Sequence, residues 1–273
     1  MIVMAKIDSH LFDIGYMDTL ATGDSFFHKL DPRAKLITTL VFIGTVVSFG
    51  KYEISALIPF IIFPLVLITS GGLPFLYLLK KVLLVAPFAF FIGIFNPFLD
   101  QTAMVHIGSL QISGGWISFF SIMLRFSLTV GAALVLIALT GFQAVCMGLE
   151  KLGVPRPFVV QLLFLYRYLF VLIDEAARMV RAKSLRTFNS RGTKIGTFGS
   201  MMGHLLLRTL DRAQRIHLAM CCRGFDGHIR LICPLKIGVR ETAFVLGWSL
   251  LFICMRIYNI PQLIGTVVTG FYL

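Results

Sequence analysis

Long apolar stretches separated by short polar breaks fill the first half of the chain, and the pattern changes in the second half. Five segments read as helices able to cross a hydrocarbon core, which takes roughly 17–25 residues. They run from Lys35 to Phe49, Ile54 to Ser70, Val82 to Phe98, Trp116 to Gly141 and Thr242 to Tyr258. The first three are short for full crossings and carry Pro59, Pro64, Pro87 and Pro97. Neighbouring helices satisfy the backbone groups that such prolines free.

The block from Phe142 to Arg240 has a different rhythm. A short helix is predicted over Gln143–Leu152, ending at Gly153, and Pro155-Arg156-Pro157 restarts the chain, proline being favoured in a first helical turn. The run from Phe158 to Ile173 is apolar nearly all round. At Asp174-Glu175 it turns amphipathic, with Ala177, Val180, Ser184 and Thr187 on one face and Arg178, Arg181 and Arg186 off it. A second amphipathic helix is predicted from Phe198 to Cys222. Met202, Leu206, Leu210, Ala213, Ile216 and Met220 form its apolar stripe, and Arg208, Arg212 and Arg215 its basic one. The two helices are expected to pack against each other at the membrane surface. Anionic lipid alone could hold two such helices there, but that does not account for their matched endings.

Those endings are Asn189-Ser190-Arg191-Gly192 and Cys221-Cys222-Arg223-Gly224. In each, glycine supplies a left-handed helix cap and arginine complements the negative end of the helix dipole. Two occurrences, thirty-two residues apart, also place two guanidiniums at helix ends. That arrangement suits insertion into grooves on two similar partners.

Composition makes the membrane reading firm. Of 273 residues, 57% are hydrophobic and 14% charged, against about 25% charged in an ordinary soluble domain. The net charge is +12, and the stretch from Glu150 to Arg240 holds +11 of it, with 16 basic and 5 acidic residues. That stretch lacks the interleaved aromatics of a base-stacking surface, so the charge is read as topology and not as nucleic-acid binding. Lys29, Arg33 and Lys35, then Lys80 and Lys81, then the basic block all fall on one side when the amino terminus is inside, as the positive-inside rule requires. The loop 100–115 and the carboxyl tail are then outside. Residues 1–33 read as a cytoplasmic N-terminal segment, 34–141 as the first four spans, 142–240 as a cytoplasmic coupling-helix domain, and 241–273 as the last span with its external tail. No apolar core of a cleavable signal peptide is seen at the amino terminus.

Chemistry-bearing patterns are sparse. The five cysteines (146, 221, 222, 233 and 254) are scattered and form neither a disulfide framework nor a zinc site. No G-x-x-x-x-G-K-[ST] occurs, so the chain carries no P-loop for ATP. The six histidines are dispersed without ligand spacing, and none is expected to bind metal. Glu150, Asp174 and Glu175 are expected to balance neighbouring arginines. Asp31 before Pro32 reads as a helix N-cap followed by proline at the first helical position. Arg125 lies inside the fourth span, where a charge is a functional candidate, although it is near enough to Trp116 to snorkel outward. A secondary transporter would want mid-membrane polar groups and inverted repeats, and a membrane enzyme would want an acid–base or metal cluster. Neither pattern is present.

Specific motifs remain: His28-Lys29-Leu30-Asp31-Pro32-Arg33-Ala34-Lys35-Leu36, the run Leu149–Met179, Ser190-Arg191-Gly192, and Ala219–Gly227. Through these the chain resembles the transmembrane coupling (T) component of energy-coupling-factor (ECF) ABC transporters, and more closely the CbiQ family of cobalt importers. The usual family ending is Ala-Arg-Gly or Ala-Arg-Ser. Ser190 and Cys222 stand at the alanine positions, a small-for-small change. The resemblance implies an all-α integral membrane protein, with about five transmembrane helices plus a cytoplasmic domain of long amphipathic coupling helices. It implies a non-catalytic subunit of the inner (cytoplasmic) membrane, with no cofactor of its own. ATP would be bound by two ABC ATPase partners (CbiO-like), and cargo by a membrane S subunit (CbiM-like, with or without a CbiN-like chain). Arg191 and Arg223, with Ser190, Gly192, Cys222 and Gly224, would form the ATPase-coupling interface. Asp31, Pro32, Arg33 and Arg125 would serve an interface or structure. Cobalt is the expected cargo, with nickel or a vitamin as alternatives.

Overall fold

The computed structural model describes residues 15–99, 103–107, 110–186, 195–227 and 238–258. It falls into two units, one of Met1–Met17 and Leu149–Pro234, the other of Asp18–Gly148 and Leu235–Leu273.

In the larger unit α1 (Pro32–Val47) buries eight side chains, among them Phe42 and Val46. Asp31 caps it by accepting from the Arg33 backbone N–H at 2.9 Å, and Pro32 begins it. Both parts of the Asp-Pro expectation are therefore met in the helix itself. The hydroxyls of Thr38 and Thr39 return to the carbonyls of Ala34 and Lys35, both at 2.8 Å, so their burial leaves no donor unpaired. After α1 come α2 (Ile54–Gly71, tightened to a 3₁₀ turn over Ile58–Ile61 at Pro59), α3 (Phe75–Gly93), α4 (Gly114–Thr140) and α5 (Phe142–Lys151), and α1, α2 and α3 all pack on α4. The last of the described helices, here α8 (Val239–Ile257), also packs on α1.

Aromatic rings fill the space between α1, α2 and α8. Phe42 stands 4.7 Å from Phe63 and 5.3 Å from Phe252, centroid to centroid, and Phe63 stands 5.0 Å from Trp248. The pairs of Phe42 with Phe252 and of Phe63 with Trp248 are edge-to-face, an arrangement that contributes about 0.5–1.5 kcal/mol beyond buried area. At Gly71 an added Cβ would lie 2.5 Å from Leu139 Cδ2, so glycine is what lets the end of α2 approach α4.

Several expectations are revised. Among the described residues four helices are long and apolar enough to cross a membrane: Ile54–Gly71, Phe75–Gly93, Gly114–Thr140 and Arg156–Arg186. Three answer to expected spans. α1 falls short at 16 residues, roughly 24 Å at 1.5 Å per residue. α8 carries Arg240, Glu241 and Arg256. The helix starting at Arg156, expected wholly in the cytoplasmic domain, qualifies because Arg167 is its one charge between Arg156 and Asp174. The third span starts at Phe75, not Val82, so Lys80 and Lys81 sit within its first turns rather than before it; long lysine stems reach a polar boundary from such positions. Finally, Ala103–Ile107 and Leu110–Ser113 pair as an antiparallel hairpin, β1 and β2, where only a loop was expected.

The smaller unit contains two long helices, α6 (Arg156–Arg186) and α7 (Ile195–Cys222). Their residues meet in antiparallel order. Glu175 of α6 bridges to Arg208 of α7, and Phe225, just beyond α7, stands 6.1 Å from Phe164. Val159 and Leu205 are the buried residues of the two helices. The expected close packing of two apolar stripes does not occur: Met202, Leu206 and Leu210 are exposed. Clefts lie between the two helices on either side of the bridge.

Candidate functional site

The carboxyl end of α7 shows how this sequence builds a fixed helix terminus. Gly224 N–H donates to the Cys221 carbonyl and Phe225 N–H to that of Met220, both at 3.0 Å. With Gly224 at φ +78°, this is a complete Schellman cap. Arg223 is its C-cap residue. Phe225, turned back by the glycine, packs towards Phe164 and anchors the turn to α6.

The same cap closes two other helices. At α2, Gly72 (φ +63°) and Leu73 donate to Thr69 and Ile68; at α5, Gly153 (φ +107°) and Val154 donate to Glu150 and Leu149. The C-cap residues there are Gly71 and Leu152. Three equivalent turns therefore share the glycine, and only one carries an arginine. Helix termination demands Gly224 and leaves Arg223 unexplained. Arg223 is exposed, and its side chain makes no hydrogen bond or ion pair with any described residue. Cys222 and Cys221 beside it are also exposed. Ser190, Arg191 and Gly192 lie outside the described residues.

Beneath this terminus, charges hold α6 to α7. Glu175 accepts from Arg178 Nη2 at 2.9 Å through Oε2 and from Arg208 Nη1 at 2.8 Å through Oε1. Glu150 lies 3.4 Å from Arg156 Nε across the Gly153 turn. The expectation that Glu150 and Glu175 balance neighbouring arginines holds at both. Cavities of about 720 Å³ and about 590 Å³ lie between α6 and α7 on the two sides of the Glu175–Arg208 bridge.

The structure places the remaining candidates in the other unit. Lys35, a motif residue not singled out from sequence, is buried and donates to the His28 carbonyl at 3.2 Å and the Leu139 carbonyl at 3.1 Å. Leu139 is in the last turn of α4, whose carbonyls lack intrahelical partners. The ammonium thus closes the end of α4 while Asp31 closes the start of α1. Arg33 Nε lies 3.9 Å from Asp31 Oδ1. Pro32 also lies against Gly148 of α5. The Asp-Pro-Arg motif is a helix junction.

Arg125 is held by a backbone carbonyl. Its Nη2 donates to the carbonyl of Gly50 in the α1–α2 loop. Arg256 of α8 reaches the same loop, donating to the Ser48 carbonyl at 3.1 Å, lying 3.8 Å from Glu53 Oε2 and 4.4 Å over the ring of Phe49. Two helices are tied to one loop by these arginines. Among the described residues no three His, Cys, Asp or Glu side chains come together as a metal site.

Comparison with known proteins agrees with this architecture. Residues 23–232 match the family model CbiQ, described as cobalt transport protein. An uncharacterized protein of Methanocaldococcus jannaschii is 27% identical over 268 residues, covering 90% of this chain and 91% of its own. The energy-coupling factor transporter transmembrane protein EcfT of Listeria innocua is 25% identical over 251 residues, 86% of this chain and 90% of its own. The cobalt transport protein CbiQ of Rhodobacter capsulatus is 30% identical over 102 residues, 35% of this chain and 42% of its own.

Proposed function

The chain belongs to the CbiQ family, and from that premise we propose that it is the coupling subunit of an energy-coupling-factor importer, conveying ATP-driven motion of two ATPases to a substrate-binding S subunit. Its family and its apolar helices make it a multi-pass membrane component of a transporter. The observation that carries the finer reading is Arg223. It is an exposed guanidinium without a partner among the described residues, on a cap that glycine alone completes. An arginine held at a fixed helix end presents five donors to an acidic groove. Arg191, in the matching Ser190-Arg191-Gly192 sequence, is assigned the same role on the second ATPase. The ATPases are CbiO-like and the S subunit is CbiM-like, with or without a CbiN-like chain. The cargo is cobalt, on the strength of the family description and the name of the Rhodobacter relative. ATP stays on the partners.

Cys221 and Cys222 offer a native handle on this interface. A short thiol-to-amine crosslinker applied to membranes holding the whole complex should join the chain to a protein whose mass identifies it as an ABC ATPase. Cys221→Ser with Cys222→Ser should abolish that product. An intact complex that yields no ATPase adduct at these thiols would remove Arg223 from the interface.

Orientation follows from the charge asymmetry, with the amino terminus and the α6–α7 unit in the cytoplasm and the carboxyl terminus outside. In a variant without Cys233 and Cys254, an impermeant maleimide should label Cys221 and Cys222 in inverted vesicles and not in intact cells. Cys146 is an internal control, because burial encloses its thiol and pushes its pKa up. Labelling of Cys221 or Cys222 from outside intact cells reverses the topology.

A further inference from the structure

Taken alone, neither the histidines nor the cysteines show ligand spacing, but one mixed pair does. His217 and Cys221 stand at i and i+4 near the end of α7, so their side chains lie one above the other on one helix face. Nε2 of His217 meets Sγ of Cys221 at 3.6 Å. Both residues are exposed. Neither side chain has another hydrogen-bond or ion-pair partner among the described residues.

The separation of the two donor atoms is that of neighbouring ligands on one metal ion. Zinc–sulfur and zinc–nitrogen bonds of about 2.3 Å and 2.0–2.1 Å, opened to the tetrahedral angle, place sulfur and nitrogen about 3.6 Å apart. An ion seated between them asks only for small rotations of two exposed side chains. The backbone that carries them is already fixed. The Cys221 carbonyl accepts from Gly224 N–H and the Met220 carbonyl from Phe225 N–H, both at 3.0 Å, while Phe225 stands 6.1 Å from Phe164 of α6. Without that cap the last turn of α7 would fray and carry Cys221 away from His217. The position also suits a cation, because the carbonyl end of a helix favours positive charge.

Donor type narrows the ion. A thiolate with an imidazole suits zinc and its neighbours in the first transition row, whereas magnesium and calcium prefer oxygen. Among the described residues no third His, Cys, Asp or Glu side chain joins the pair. Water then completes the coordination, and the ion stays exchangeable.

We infer that His217 and Cys221 form a two-ligand site for a divalent transition metal of the zinc class, bound through Nε2 and the Sγ thiolate. Binding releases the thiol proton to solvent. In the metal-free chain that proton lies in the contact between the same two atoms. The assignment is independent of the docking of Arg223 and of the cargo, and it holds whether or not those readings do.

The test uses the purified full-length chain in a non-ionic detergent, reduced and stripped of metal, with no partner subunit present. Co2+ is the probe, because a cobalt–thiolate bond absorbs in the near ultraviolet by sulfur-to-metal charge transfer. The band should grow with added Co2+ and saturate at one ion per chain. Zn2+, which such donors hold more tightly than Co2+, should bleach it, and a large excess of Mg2+ should not. Cys221→Ser should abolish the band. His217→Gln keeps the thiolate and should bind at least about tenfold more weakly, a loss already typical of groups that merely orient a ligand. Cys222→Ser, one residue along, should bind like the unmodified chain. All three substitutions fall at exposed positions, and titration of the unmodified chain needs no variant at all. A chain with no saturable band, a band that survives Cys221→Ser, unchanged affinity in His217→Gln, loss of the band in Cys222→Ser, or displacement by Mg2+ each overturns the inference.

Discussion

The two units of this protein use similar apolar side chains for opposite ends. In the larger, Phe42, Phe60, Phe63 and Phe252 are each almost wholly buried in one aromatic cluster. In the smaller, Met202, Leu206, Leu207, Leu210 and Leu218 on α7 are all exposed. Polar groups divide the same way. The side chains of Lys35, Thr38 and Thr39 are buried and spend their donors inside the bundle, while that of Arg223 spends none on a described residue. A region whose contacts are satisfied internally is built for stability. A region of two helices joined by a bridge and one ring contact, with its hydrophobic stripe uncovered, is completed by what binds it.

The sharpest way to break this comparison is to remove the two arginines assigned to docking. Arg191→Ala with Arg223→Ala should leave the chain inserted in the membrane and abolish coupled uptake, or shed the ATPases. Truncating one side of a desolvated charge-assisted contact costs about 2–5 kcal/mol, about 30- to 5,000-fold in association. Were both residues only helix caps, the loss would be about 1 kcal/mol or less per site, with transport near normal. Near-normal uptake in a correctly inserted double variant would therefore sink the docking role.

Truncation of core and stripe should separate the units in the opposite sense. Phe42→Ala removes the centre of the aromatic cluster, and such changes cost about 3–5 kcal/mol. It should sharply lower the thermal stability of the purified chain. Leu206→Ala, on an exposed stripe, should shift stability by about 0.5 kcal/mol or less while reducing recovery of the partner subunits. If Leu206→Ala destabilises the isolated chain as Phe42→Ala does, the α7 stripe is core and the contrast fails.

Sequence pattern read some of this architecture well and some poorly, for physical reasons. The Gly153 stop, the Asp31 cap and the end of α7 were legible because caps depend on a few local residues. Whether α1 and α8 cross the membrane was not, because an apolar run records burial without saying whether protein or lipid covers it. Phe42 and Phe252 sit in protein. The β1–β2 pairing went unread because runs of five and four residues are at the short limit for reading an alternation. Lys35 was passed over as a topology charge, and its capping of α4 depends on Leu139, 104 residues away. At the proposed docking site the arginine pair was readable as a repeated motif. The absence of a partner for Arg223 among the described residues needed coordinates.

The smallest expected effect tests whether the α7 cap serves to aim Arg223 or merely to end a helix. Gly224 (φ +78°) and Gly153 (φ +107°) close their helices with the same pair of hydrogen bonds, and an added Cβ meets nothing within 4 Å at either. Alanine therefore brings only the backbone penalty of a left-handed conformation, about 1–2 kcal/mol. Both Gly224→Ala and Gly153→Ala should loosen the last turn of their helix, seen as faster amide exchange there. Loosening α7 spreads Arg223 over several directions, so a docking contact loses occupancy by about the same free energy, roughly tenfold in ATPase association at 1.4 kcal/mol. Loosening α5 moves no docking group, so Gly153→Ala should leave association within about twofold of the unmodified chain. Equal losses in the two variants would mean that the α7 cap contributes general stability only, and that the direction of Arg223 is set by its partner rather than by the helix it ends.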